Sequence, residues 1–171
     1  MQILDGYCQT ITRVNRWLAI AASSLVFIMV AVISYEVVAR YFFDAPTIWA
    51  LELSTLLLGP YFLLAGPYFL HTAGHVNVDI LYSKLSPRIA AIADTGIYAV
   101  IVVISCILIY QSIPIAQNSI DSGETSFSSW NPAIWPVKTL IPVAFILLLL
   151  QSIAELFTAI QRISVREEAG V

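Results

Sequence analysis

The chain has 171 residues, 59% of them hydrophobic and 11% charged, with a formal net charge of −3. Soluble domains carry about a quarter charged residues, so this balance points to a membrane protein. The charge is small and dispersed, with no basic block for nucleic acid, and Cys8 and Cys106 stand far apart with no His or Cys at metal spacing.

Four apolar runs, roughly 15–43, 47–73, 88–111 and 136–160, are long enough to cross a hydrocarbon core, which needs about 20 residues of helix. The first continues from near Trp17 to Phe43, about 27 residues, whereas a signal-peptide core has about 7–15, so it reads as a retained anchor. It closes on SYEVVARYFF, which places Glu36 four residues before Arg40, the favourable order for a helical ion pair. Only Asp44-Ala45-Pro46 separates this run from the second, so the two form a tight hairpin. Glu52 lies about as far into the second run as Glu36 lies from the end of the first. Glu36, Arg40 and Glu52 are therefore expected to form one polar cluster at that end. Charges this close to lipid usually face protein, because lipid solvates them poorly. The competing expectation is that all three reach into the headgroups.

The second connection, GHVNVDILYSKLSPR over 74–88, carries Ile80, Leu81 and Leu85 on one helical face. That spacing predicts a short helix on the membrane surface with Lys84 turned to water, and Ser86-Pro87 reads as the start of the third span. His71, His75 and Asp79 are spaced by four, but Gly74 and the alternating VNV argue against one continuous helix. Two histidines at one helix end also cannot supply haem ligands from opposite sides of a bundle, so loop capping is the default. Asp94 and Glu155 sit one to two turns inside the third and fourth runs and are expected to meet each other, Arg16 or water.

The third connection, from about Ser112 to Trp135, ends in the aromatic and proline cluster WNPAIWPVK. Asp121 and Glu124 supply acidic charges there, Trp130 and Trp135 aromatic anchors, and Lys138 a lone cation, so this segment is a candidate docking surface for a partner. Arg13, Arg16, Lys84, Arg88, Arg162 and Arg166 fall on one side of a four-span topology, and only Arg40 and Lys138 on the other. This asymmetry predicts both termini in the cytoplasm. The phosphate loop, the GxSxG elbow and the HExxH helix are all missing from the chain, which speaks against an enzyme. Gly and Pro fall mainly near the ends of the spans, without the broken-helix and inverted-repeat pattern of a self-sufficient transporter. The chain reads as one all-α, four-helix membrane subunit over residues 1–171.

Taken together, these residues resemble the small membrane subunit of the tripartite ATP-independent periplasmic (TRAP) transporters, the DctQ-like component. The resemblance rests on Arg40-Tyr41 before a short loop and on TIWALEL with Trp49 and Glu52. It continues in AGPYFLHTAGHVNVDIL, where Gly74, His75, Val78 and Asp79 fit a G-H-x-x-V-D pattern, and in Trp135-Pro136 and Ile141-Pro142. One departure is His71-Thr72-Ala73, where the family often has basic residues. The resemblance implies a non-catalytic subunit in the cytoplasmic membrane of a bacterium or archaeon, with no cofactor of its own. It implies two partners besides membrane lipid. One is a large membrane subunit that couples uptake to sodium, and the other a periplasmic protein that delivers an organic acid or similar carboxylate-bearing solute. Glu36, Arg40 and Glu52 would then act as structural polar glue. A membrane anchor of a redox enzyme, facing haem or quinone, is the alternative from a different class.

Overall fold

Lipid offers a backbone no hydrogen-bond partner, so an apolar run that crosses it must satisfy itself as a helix. The computed structural model describes residues 2–73 and 87–168, and it is built from helices on that principle. They are α1 (Gln2–Phe42), α2 (Ala50–Ala73), α3 (Pro87–Asp121) and α4 (Trp135–Glu168). All four are long and apolar enough to span a membrane. The surface helix expected over 74–86, with Gly74, His75, Asp79 and Lys84, lies outside the described residues.

Three helices outrun the apolar segments that announce them, the fourth by continuing to Glu168 rather than ending at 160. The first begins at Gln2 rather than near residue 15, and the third continues to Asp121 rather than ending at 111. The loop expected to start at Ser112 therefore begins at Ser122. With 41 and 35 residues, the first and third extend about 60 and 50 Å, well beyond a core of about 30 Å. Packing carries each past the lipid. On α3, Ser112, Ala116 and Ser119 are buried, and α3 packs mainly on α4. On α1, the Tyr7 hydroxyl donates to the Leu150 carbonyl at 3.0 Å and the Cys8 thiol to the Ala154 carbonyl at 3.6 Å. Both cysteines are free thiols.

The two hairpins, α1 with α2 and α3 with α4, join through α4, which touches all three other helices. Small residues make this approach possible, as expected where lipid supplies no hydrophobic drive between helices. Asn15, Ala22, Met29 and Glu36 are buried at seven-residue intervals along α1, and Ser105, Ser112 and Ser119 repeat that interval on α3. A seven-residue seam is the signature of left-handed helix packing. Ser105 and Ser152 return their hydroxyls to their own helix, Ser105 to the Ile101 carbonyl at 2.7 Å and Ser152 to Leu149 at 2.9 Å. Gly59 marks a close passage of α2 by α4, since a Cβ there would lie 3.2 Å from Val137 Cγ1. The helices run through their internal prolines, Pro60, Pro67, Pro114 and Pro142, without a break.

The interior holds one buried amide pair. Asn15 Nδ2 donates to Gln151 Oε1 at 2.8 Å, and both residues are fully buried. Gln151 Nε2 donates in turn to Thr12 Oγ1 at 3.1 Å and Glu155 Oε1 at 2.8 Å. Gln151→Leu should therefore strand the Asn15 amide and lower stability by about 1–2 kcal/mol, toward the upper end for hydrogen bonds between membrane helices. Asn15→Leu combined with Gln151→Leu should recover part of the loss. Thermal unfolding in detergent measures both, and a single variant as stable as the parent would show that the pair holds nothing.

Candidate functional site

Glu36, Arg40, Glu52, Asp121, Glu124 and Lys138 converge on the end of the bundle that carries the α1–α2 and α3–α4 loops. There α1 stops because Asp44 turns left-handed (φ 50°), a conformation Asp tolerates better than most residues, and Pro46 cannot continue a helix. The Ala45 N–H closes the turn on the Ala39 carbonyl at 3.0 Å. Thr47 then caps α2, its hydroxyl accepting from the Ala50 N–H at 3.4 Å.

Glu36 fastens this turn. Its side chain is 3% exposed, and it accepts from both ends of the junction. Oε1 takes Arg40 Nε at 2.9 Å and also Arg40 Nη2. Oε2 takes the Thr47 backbone N–H at 3.0 Å and also the Thr47 hydroxyl. A carboxylate with four donors is one of the few ways to bury a charge at a membrane boundary at tolerable cost. Arg40 keeps its outer face in contact with the surroundings, at 43% exposure.

Glu52 does not join this cluster. Two positions beyond the buried Ala50, it is turned about 200° around α2. Its Oε2 accepts instead from the Ser128 hydroxyl in the α3–α4 loop, at 2.6 Å. The expected triad is thus two separate ties, one closing the α1–α2 hairpin and one binding that hairpin to the next loop.

The α3–α4 loop is braced throughout. Gly123 (φ 57°) ends α3, with the Gly123 N–H on the Ile120 carbonyl and the Glu124 N–H on Ser119, both at 3.0 Å. That double bond pattern is the Schellman cap, which favours glycine at this position. Thr125 and Ala133 pair across the loop, and the Ser126 and Ile134 N–H groups bond the Pro132 and Glu124 carbonyls. At the tip, Asn131 Oδ1 accepts from the Phe127 N–H at 3.1 Å, and Ser128 Oγ accepts from the Asn131 N–H at 2.9 Å. Lys138 is not the lone cation expected: its Nζ lies 2.6 Å from each oxygen of Glu124. The ammonium holds the Glu124 carboxyl below the usual carboxylate range. Glu124 is consequently a brace between loop and α4 rather than a free rim charge, whereas Asp121 is exposed.

Among the aromatic residues of this end, Trp49 stacks on Tyr35 with centroids 6.0 Å apart, while Trp130 and Trp135 remain partly exposed. The sequence reading passed over Phe127, which is 88% exposed and holds a left-handed backbone (φ 56°). At the opposite end, Glu155 meets neither Asp94 nor Arg16. Its Oε1 lies 2.5 Å from His71 Nδ1, so that histidine serves as a tie between α2 and α4. No group of His, Cys, Asp and Glu among the described residues could hold a metal ion.

Four membrane-length helices tied by polar contacts at both ends define a multi-pass helical subunit. The family described as "Tripartite ATP-independent periplasmic transporters, DctQ component" matches residues 29–162, well over half of the chain, and the chain belongs to that family. It is a small membrane component of a TRAP transporter, a non-enzymatic, multi-pass protein of the inner membrane. Membership favours the transporter reading over a redox anchor, and the family implies a complex with a large membrane subunit and a periplasmic protein. No curated protein matches the chain at a significant level. Of the residues behind the resemblance, Trp49 packs at the start of α2 and Trp135 opens α4 with Pro142 buried two turns on. Gly74, His75 and Asp79 lie outside the described residues.

The contacts rank three substitutions. Glu36→Gln places an amide N–H₂ against donors and should cost about 3 kcal/mol, the low end for breaking a buried pair. Arg40→Ala leaves both Thr47 donors in place and should cost less. Glu52→Gln loses the charge but keeps an oxygen that can accept from Ser128, and should cost at most about 1 kcal/mol. Yield and thermal stability of the purified subunit give the order, and equal values for all three would mean that these charges only meet headgroups.

Proposed function

We propose that this subunit scaffolds the large, sodium-coupled membrane subunit and that its loop end docks the periplasmic protein that delivers an organic acid or similar solute. The observation that carries the docking role is the end of α3 with the α3–α4 loop: a braced turn that leaves Asp121, Phe127 and Trp130 exposed. Buried aromatics govern residence time and rim charges govern encounter, and a rigid loop loses little freedom on binding. The scaffold role is supported by α3, which packs mainly on α4 and leaves Val100, Val103, Ile104 and Ile107 exposed to lipid or to a membrane partner. Glu36, Arg40 and Glu52 are structural ties within this scaffold, while Glu124 and Lys138 hold the docking loop in shape.

Phe127→Ala and Asp121→Lys should each slow solute uptake by the assembled transporter several-fold while the two membrane subunits still purify together. Glu124→Lys is a different case, because it should loosen the loop itself. Uptake unchanged by Phe127→Ala and Asp121→Lys, across a range of binding-protein concentrations, would remove the loop from the docking surface.

Both termini are cytoplasmic in this reading, from the six-to-two division of basic residues. With Cys8 and Cys106 replaced by serine, a cysteine at the exposed Ser129 should react with an impermeant thiol reagent added outside cells. One at the exposed Thr10 should react only after the membrane is opened. The reverse pattern would invert the topology.

A further inference from the structure

We propose that a cleft between α1, α2 and α4, at the end opposite the loops, binds the phosphate of an anionic glycerophospholipid. The cleft has a volume of about 490 Å³ and is lined by Arg13 and Arg16 of α1, His71 of α2, and Glu155 and Thr158 of α4. Its charge is unbalanced. Glu155 is 14% exposed and already engaged by His71 and Gln151. Arg13 and Arg16 are both exposed, and neither forms an ion pair among the described residues. Two guanidiniums that pair with no carboxylate among the described residues make a site for phosphate oxygens, which arginine binds through paired N–H donors.

The surface above the cleft selects a lipid over a free anion. Arg13, Ile20 and Phe27 are seven residues apart and share one face of α1, with Trp17 one turn beyond Arg13. Trp17, Ile20 and Phe27 are 67%, 51% and 78% exposed. From Trp17 to Phe27 the track measures about 15 Å along the helix, half of a hydrocarbon core of about 30 Å. A charged cleft at headgroup depth, continued by an apolar track one leaflet long, has the shape of a phospholipid. Basic pockets between membrane helices are a recurrent site for such headgroups. Only the leaflet depends on the orientation proposed above. The site itself does not, and a symmetric lipid environment tests it regardless of topology.

The test is native mass spectrometry of the purified subunit released from nanodiscs containing equal phosphatidylglycerol and phosphatidylcholine. The wild type should retain phosphatidylglycerol several-fold over phosphatidylcholine, and Arg13→Gln with Arg16→Gln should abolish that preference. Gln117→Glu with Ser129→Glu, at exposed positions of the loop end, lowers the net charge by the same amount and should keep it. Because both cleft arginines are exposed and make no ion pair among the described residues, the cleft variant should unfold at the parental temperature. Equal retention by the wild type and the cleft variant would overturn the proposal, as would a wild type that holds both lipids alike. Release of the retained phosphatidylglycerol by millimolar inorganic phosphate would also overturn it, assigning the cleft to a free anion. Loss of the preference in both double variants would reduce the effect to net charge.

Discussion

Gln151 is the side chain through which one end of the bundle is held, and the constraint it answers is that hydrocarbon solvates no polar group. Its carbonyl takes Asn15 of α1, and its amide reaches Thr12 of α1 and Glu155 of its own helix. Glu155 carries the connection on to His71 of α2. Three helices thus share one chain of hydrogen bonds. At the other end Glu36 closes α1 on the cap of α2, Glu52 takes Ser128, and Glu124 takes Lys138. Asn15 and Glu36, the α1 anchors of the two sets, are twenty-one residues apart, about 32 Å along the helix. That is close to one hydrocarbon thickness, about 30 Å. The spacing of the two sets thus matches one hydrocarbon thickness, and the interval between them is left to packing.

Within that interval helices meet through alanine, serine and glycine, whose small side chains let backbones come close. Serine is the economical polar choice there, because its hydroxyl bonds a carbonyl one turn back and needs nothing from a neighbour. The result is a bundle whose interior specifies helix contacts and whose exterior stays apolar and broadly uncovered. Such an arrangement suits a component that holds other chains in place. α3 expresses this most fully: it is secured along α4 by Ser105, Ser112 and Ser119 and bare over much of its remaining surface.

The sequence made some of these features plain and concealed others for identifiable reasons. Four spans are legible because run length alone sets them. The Glu36–Arg40 pair is legible because four residues make one helical turn. Thr47 was not, since its bond to Glu36 depends on how an αL residue at Asp44 redirects the chain. The partners Glu52–Ser128 and Asn15–Gln151 lie 76 and 136 residues apart, and no local rule joins them. Hydropathy misplaced the ends of α1, α3 and α4, because it reports where lipid stops and a helix need not stop there. One missed signal was available. Gly123, directly after QNSIDS, is a glycine stop that would have carried α3 past Ser112.

Phe127 shows what the loop end is built to resist. A bulky residue in the left-handed region costs about 1–3 kcal/mol, and it persists only where its surroundings over-determine it. Here they do: the Phe127 N–H is fixed by Asn131, the Asn131 N–H by Ser128, Ser128 donates to Glu52 of α2, and the base of the loop is pinned by Glu124 and Lys138. An exposed apolar ring gains nothing within this chain from that expense, since it touches water or headgroups more than protein. A ring held out on a rigid turn has, however, already met much of the ordering cost that binding would otherwise exact. Glu52 is then more than a local contact. By tying the tip of the loop to α2, it makes the position of Phe127 depend on the α1–α2 hairpin that Glu36 closes.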